Sequence, residues 1–289
     1  MRRLEAILVG FDSTPSGRDA LALGALLAET CGAELVAARV RGKGECEGEE
    51  GRLEVDLANA LPDPPGPVRP VLLQSKSAWA ALQDLAVSEP RIGAIALGST
   101  HRGGFGRVLP GGTLEHLLGG APCALAVAPR GYSGEPGPEA ISTEDLRVLE
   151  VGFDGSPGAT AALELAATVA GGAGATLRVI AVGRPPLPAG AEAPPAPTIP
   201  GADIQSRLHE AVAALDPRLR ALPIYEHGDP AIRLLDRAEE GVDMLVVGSS
   251  SVGRLGTVVL GSTSRTLIEN APCPVLLAPR PPHENGSDR

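Results

Sequence analysis

Short apolar runs alternate along the chain with stretches of helical periodicity. LEAILVG, from Leu4, reads as a buried strand, and Ser16 to Thr30 as a helix with Leu21, Ala25 and Ala28 on one face. ELVAARV predicts a second strand, Leu53 to Leu61 a short helix, and PVLLQ a third strand. Ala78 to Val87 is helical in pattern, AIALG is a fourth strand, Thr113 to Leu118 a helix, and ALAVA a fifth strand. Strands this uniformly apolar, each followed by a helix, predict a doubly wound α/β fold whose parallel sheet is covered on both faces. An open sheet of that kind takes ligands beyond the carboxyl ends of its strands, at the switch point.

The pattern occurs twice. LEAILVGFDSTPSGRDALALGALLAETCGAEL, from Leu4, returns as LRVLEVGFDGSPGATAALELAATVAGGAGATL from Leu146. ALGSTHRGGFGRVLPGGTLEHLLGGAPCALAVAPR, from Ala96, returns as VVGSSSVGRLGTVVLGSTSRTLIENAPCPVLLAPR from Val246. The second copy is longer in its middle, and the extra residues fall in the Pro/Ala-rich stretch from Gly183 to Ala202. LRVIAV, LPIYE, DMLVVG and PVLLA supply its later strands. Residues 1–130 and 146–280 are therefore expected to be two domains, each with a five-stranded parallel sheet, joined by a Gly/Pro/Ser-rich linker at 131–145. The tail at 281–289 is expected to be disordered.

Composition narrows the function. Of 289 residues 43% are hydrophobic but only 2% aromatic, so the cores are built from Ala, Leu and Val. A net charge of -10, with no basic stripe and few rings to stack bases, argues against a nucleic-acid partner. The longest helical apolar stretch, ALALGALLA, falls far short of the roughly 20 residues of a membrane span. The first residues lack a signal-peptide pattern, so no membrane association and a cytoplasmic location are expected. Cys31, Cys46, Cys123 and Cys273 show no CxxC spacing, and Cys123 and Cys273 read as small buried residues before the last strand of each copy. The five histidines (His101, His116, His209, His227 and His283) have no ligand spacing, so no metal site is assigned. Nor is there a recognisable Ser-His-Asp or Cys-His set. Asp229 reads as a helix cap, and Trp79 as packed on a helix.

Neither GxGxxG nor GxxxxGK[ST] is present, which disfavours a dinucleotide fold and a P-loop. The end of strand one instead carries GFDSTPS in the first copy and GFDGSPG in the second. Asp12 and Asp154 have two readings there: helix capping, the plainer one, and ligand contact. After strand four, Gly98 and Gly248 let the backbone turn out of the sheet. Gly261, Ser262 and Thr263 then open the last helix, whose free N–H groups suit a phosphate. Arg102 and Arg254 lie in these loops, open to a phosphate contact or a solvated role.

These residues resemble the universal stress proteins in their tandem form. The resemblance is carried by VGFD near the start of each copy, HGDPAIRLLDRAEEGVDMLVVGS (His227 to Ser249), and the closing GST with APCPVLLAPR. It implies an adenine-nucleotide alpha-hydrolase-like fold with strand order 3-2-1-4-5, and halves paired along strand five as a pseudo-dimer, with a further homodimer open. It also implies ATP, or AMP or ADP, held without dedicated catalysis. Mg is compatible, with no protein ligands identified. ATP-binding members carry G-x2-G-x9-G-[S/T]. In the second copy Gly248, Gly261 and Ser262 match, with Thr263 next, and Ser251 stands at the middle glycine. Asp154 and Val182 fall on the adenine-contacting positions. In the first copy Asp12, Val40, Gly98 and Gly111 match, His101 stands at the middle glycine, and Gly112 precedes Thr113. Left-handed backbone at the middle position costs a serine about 1 kcal/mol, close to one decade of affinity. The expected function is thus a stress-response regulatory protein that binds an adenine nucleotide. The alternative, raised by these substitutions, is a family member that binds no nucleotide and acts through protein contacts.

Overall fold

The computed structural model describes residues 3–42, 48–99, 112–134, 143–183, 201–249 and 260–279. In the first half, β1 (Ala6–Gly10), α1 (Pro15–Cys31), β2 (Glu34–Arg41), α2 (Glu49–Ala60) and β3 (Val68–Gln74) are followed by α3 (Ala78–Ser88), β4 (Ile92–Gly98), α4 (Gly112–Leu118) and β5 (Ala124–Ala128). The second half repeats the order with β6 (Val148–Gly152), α5 (Pro157–Ala173), β7 (Thr176–Gly183), α6 (Gly201–Ala213) and β8 (Ala221–His227). It closes with α7 (Pro230–Glu239), β9 (Met244–Gly248), α8 (Ser262–Asn270) and β10 (Val275–Ala278).

The strands form one ten-stranded sheet, ordered β3-β2-β1-β4-β5-β10-β9-β6-β7-β8. Each half keeps the expected 3-2-1-4-5 order and parallel pairing. The two sheets expected from the repeat are fused, because β10 pairs with β5 antiparallel, Leu276 opposite Ala126. That antiparallel seam turns the carboxyl ends of the two halves toward opposite edges of the sheet.

Alternation along each strand divides the core. Ile7 and Val9 of β1 face a layer shared with α1, α2, α5 and α6, while Ala6 and Leu8 face the layer beside α3, α4, α7 and α8. Each leucine so buried contributes about 1.5–3 kcal/mol. Cys123 and Cys273 are buried as expected, and burial pushes the Cys273 thiol up to about 12. Trp79 stacks on His116, the rings 4.9 Å apart.

The expected linker is partly ordered structure. Asp19 of α1 is buried and accepts hydrogen bonds from the Gly131 amide (2.9 Å), the Ser133 amide (2.8 Å) and the Ser133 hydroxyl (2.7 Å), which docks the end of the first half onto its first helix. Thr143–Asp145 is a 3-10 turn leading into β6. The tail expected to be disordered lies outside the described residues.

Candidate functional site

A cleft of about 320 Å³ opens at the carboxyl end of the second half's strands. Phe153 and Asp154 enter it from β6, Ile180 and Val182 from β7, Val247, Gly248 and Ser249 from the end of β9, and Gly261 to Ser264 from the start of α8. Pro230 and Leu234 of α7 form the remaining wall. Of the residues singled out in the second copy, Asp154, Val182, Gly248, Gly261, Ser262 and Thr263 are together here. Ser251 and Arg254 lie outside the described residues.

The local chemistry explains the shape. A side chain at Gly248 would strike the Gly158 carbonyl at the start of α5, so this glycine lets β9 pass close beneath that helix. The Ser264 hydroxyl donates to the Gly248 carbonyl at 3.0 Å, fixing the first turn of α8 to the strand end. Gly261 is the N-cap of α8 and supplies no side-chain bond, so the first N–H groups of the helix face the cleft without a side-chain partner. Beside them is Ser249. Its amide donates to the Ala278 carbonyl at 3.0 Å, but its hydroxyl, on a residue only 5% exposed, has no hydrogen-bond partner among the described residues. A buried hydroxyl left unpaired costs about 1–3 kcal/mol. The cleft lining therefore combines the open first turn of α8 with a residue whose buried hydroxyl has no partner among the described residues, an arrangement suited to an anionic oxygen.

Asp154 and Asp12 are not helix caps. Asp154 accepts from the Ser156 amide at 2.9 Å, and Ser156 is the N-cap, accepting from the Ala159 amide. In the first half Asp12 accepts from the Thr14 amide and hydroxyl (3.2 and 2.6 Å), and Thr14 caps α1 through the Gly17 amide. Each carboxylate thus shapes the turn two residues ahead of the cap and stays exposed at the cleft. Asp229 does cap its helix, accepting from the amides of Ala231 and Ile232.

A matching cleft of about 410 Å³ in the first half gathers Asp12, Val40, Gly98 and Thr113, with Phe11, Ala78 and Leu82. A side chain at Gly98 would strike the Ser16 carbonyl, as Gly248 would strike that of Gly158. Gly111, His101 and Arg102 lie outside the described residues. Among the described residues no group of three or more His, Cys, Asp or Glu side chains is placed to hold a metal, and no helix is long and apolar enough to cross a membrane.

Residues not anticipated from the sequence flank both clefts. Under the first, Arg39 of β2 is buried and pairs with Asp56 of α2 at 2.6 Å. Beside the second, the fully buried Glu150 of β6 accepts from Arg237 Nε of α7 at 2.8 Å, and Arg237 also donates to Glu226 of β8 at 3.0 Å. Their only sequence signal is a charge inside an otherwise apolar strand, as in VLEVG and ELVAARV.

The family model for the universal stress protein family matches residues 147–279. A universal stress protein of Mycobacterium tuberculosis is 29% identical over 220 residues, covering 71% of this chain and 70% of that protein. Universal stress protein YxiE of Bacillus subtilis is 38% identical over 65 residues, 22% of this chain and 44% of the relative, so the chain spans less than half of that relative's length. The solved structure of a universal stress protein from Archaeoglobus fulgidus has the same fold, with a TM-score of 0.70 and 20% identity over 96% of this chain and 99% of that one. The second half thus matches the universal stress protein family, and across most of its length the chain is similar to a universal stress protein and shares the fold of another.

Proposed function

We propose that the chain is a stress-response regulatory protein that holds ATP, or a related adenine nucleotide, in the cleft of its second half. The observation that carries this reading is the Ser249 hydroxyl, buried and without a hydrogen-bond partner among the described residues, beside the open amides of α8. A phosphate there satisfies both at once. Val182 and Ile180 supply an apolar wall for a base, and the exposed carboxylate of Asp154 supplies an acceptor for its exocyclic amine. A cleft of about 320 Å³ falls at the small end of the range for drug-sized ligands. The absence of a recognisable nucleophile or P-loop lysine in the sequence supports binding without dedicated catalysis.

Titration calorimetry with ATP tests the reading. Wild-type protein is expected to bind at or below millimolar concentration. Ser249→Ala should weaken binding about tenfold or more, the loss of a hydrogen bond to a charged group, while raising the unfolding midpoint of the ligand-free protein, because the mutation removes the cost of the unsatisfied hydroxyl. Gly261→Glu, which places a carboxylate at the anion position, should abolish the second-half component. An absence of heat from wild type at millimolar ATP rejects the proposal in favour of action through protein contacts.

A further inference from the structure

The turn that carries the cleft aspartate takes left-handed backbone in both halves, but it is held in two different ways. In the second half the residue after Asp154 is Gly155, with φ +73°, a conformation glycine adopts without penalty. In the first half the equivalent residue is Ser13, with φ +62°, and it is the one non-glycine residue of positive φ among the described residues. A side chain there strains the backbone unless its surroundings hold it.

Those surroundings are specific. Ser13 Oγ accepts a hydrogen bond from Arg39 Nη2 at 2.5 Å and donates one to Asp56 Oδ2 at 2.8 Å. Arg39 in turn donates to the same Asp56 oxygen at 2.6 Å. The Arg39 side chain is 2% exposed, and its guanidinium lies over the Phe11 ring at 5.5 Å from the centroid. Phe11 and Asp12 both line the first cleft. The Ser13 carbonyl also accepts from Arg18 at 3.1 Å. Three elements, β2, α2 and the turn after β1, therefore meet on one serine hydroxyl. Among the described residues the second half shows no such device: Ala181 stands where the repeat places Arg39, and the neighbours a side chain at Gly155 would meet are Ile204 and Arg207 of α6.

We infer that Arg39 and Asp56 are positioning residues for Asp12, holding the ligand-facing turn of the first cleft in the conformation that the second cleft obtains from a glycine. The inference rests on the nucleotide reading only for what the turn is for; the geometry of the turn is separate from it. It makes ligand capture in the first cleft depend on α2, whereas Asp154 needs no partner helix. The Arg39 and Ser13 hydrogen bonds hold the Asp56 carboxyl below the ordinary carboxylate range, so the ion pair persists throughout the neutral range.

The full chain supplies separate readouts for turn and ligand. Amide exchange at Thr14, whose N–H is bonded to Asp12, reports the turn directly. Trp79 is the single tryptophan, and it stacks on His116 of α4 next to the cleft-lining Ala78, so its fluorescence reports ATP in the first cleft and not the second. Arg39→Met should speed Thr14 exchange and weaken the ATP response of Trp79, each by about tenfold. Asp56→Asn, a milder change at a part-exposed side chain, should shift both in the same direction by less. Adding Ser13→Gly to Arg39→Met should restore both, because glycine needs no support at positive φ. The inference is overturned if Arg39→Met leaves Thr14 exchange at the wild-type rate, or if Ser13→Gly fails to rescue it. A wild-type chain whose Trp79 never responds to ATP rejects nucleotide binding in the first cleft, and Thr14 exchange still decides the role of Arg39.

Discussion

Gly248 and Gly261 belong to one sequence spacing, yet they are glycines for different physical reasons. Gly248 is pressed against the Gly158 carbonyl of α5, a backbone atom that cannot swing aside. Gly248→Ala should therefore destabilise the fold by about 1–3 kcal/mol, the usual cost of overpacking, seen as a lower midpoint in urea. Gly261 has φ -80° and ψ 168°, extended backbone open to any residue, so Gly261→Ala should shift that midpoint far less. The motif was legible in the sequence, but the reason for its first glycine was not. That reason is a contact between residues far apart in the chain. The aspartates show the opposite case. DSTPS and DGSPG each offer several capping residues, and the proline at the first helical position already marks its predecessor, Thr14 or Ser156, as the cap. Read that way, the same letters leave Asp12 and Asp154 free to face the cleft.

At the scale of elements, the apolar runs located all the predicted strands and the periodicity located the helices, because buried parallel strands carry almost no polar residue. Boundaries failed where the apolar signal fades. α2 begins at Glu49, a turn ahead of the expected Leu53, since Glu50, Gly51 and Arg52, which precede the first buried position, are exposed to solvent and carry no apolar signal. The exceptions inside strands matter more. Glu150 interrupts β6, and burial raises its carboxyl above the ordinary value of 4.5 even though Arg237 pulls the other way. In the interval between the ordinary and the raised value the native state holds a proton that the unfolded chain has released. Stability therefore falls as pH rises through that interval. Glu150→Gln removes the titration. Chemical denaturation of both proteins from pH 4 to 8 should show the difference in stability, variant minus wild type, moving steadily in favour of the variant. Because α7 also supplies Pro230 and Leu234 to the second cleft, the same series should show whether Arg237 keeps that wall in place once Glu150 is neutral.

For the molecule as a whole, the decisive feature is the seam where β5 meets β10. Nothing in ALAVA or PVLLA separates a sheet edge from a sheet centre, so the repeat alone predicted two sheets, and only the family resemblance implied the pairing along strand five that joins them into one. The seam is reinforced beneath by α1 against α5, where Thr30 meets Gly172, its own counterpart in the repeat. A side chain at Gly172 would strike the Thr30 carbonyl, so close packing of the halves requires that one member of the pair lack a side chain. Two first-half units paired in the same way would set threonine against threonine. The divergence at this position thus favours the pairing of unlike halves within one chain. Gly172→Val should force α1 and α5 apart at a cost of about 1–3 kcal/mol, and since the loss falls between the halves, calorimetry should resolve the unfolding endotherm into two transitions. Gly171, the neighbouring helical glycine, has open space where a side chain would go, so Gly171→Ala should leave the transition intact and raise stability by up to about 1 kcal/mol through helix propensity. An unchanged single transition in Gly172→Val would mean that β5 and β10 alone hold the halves together.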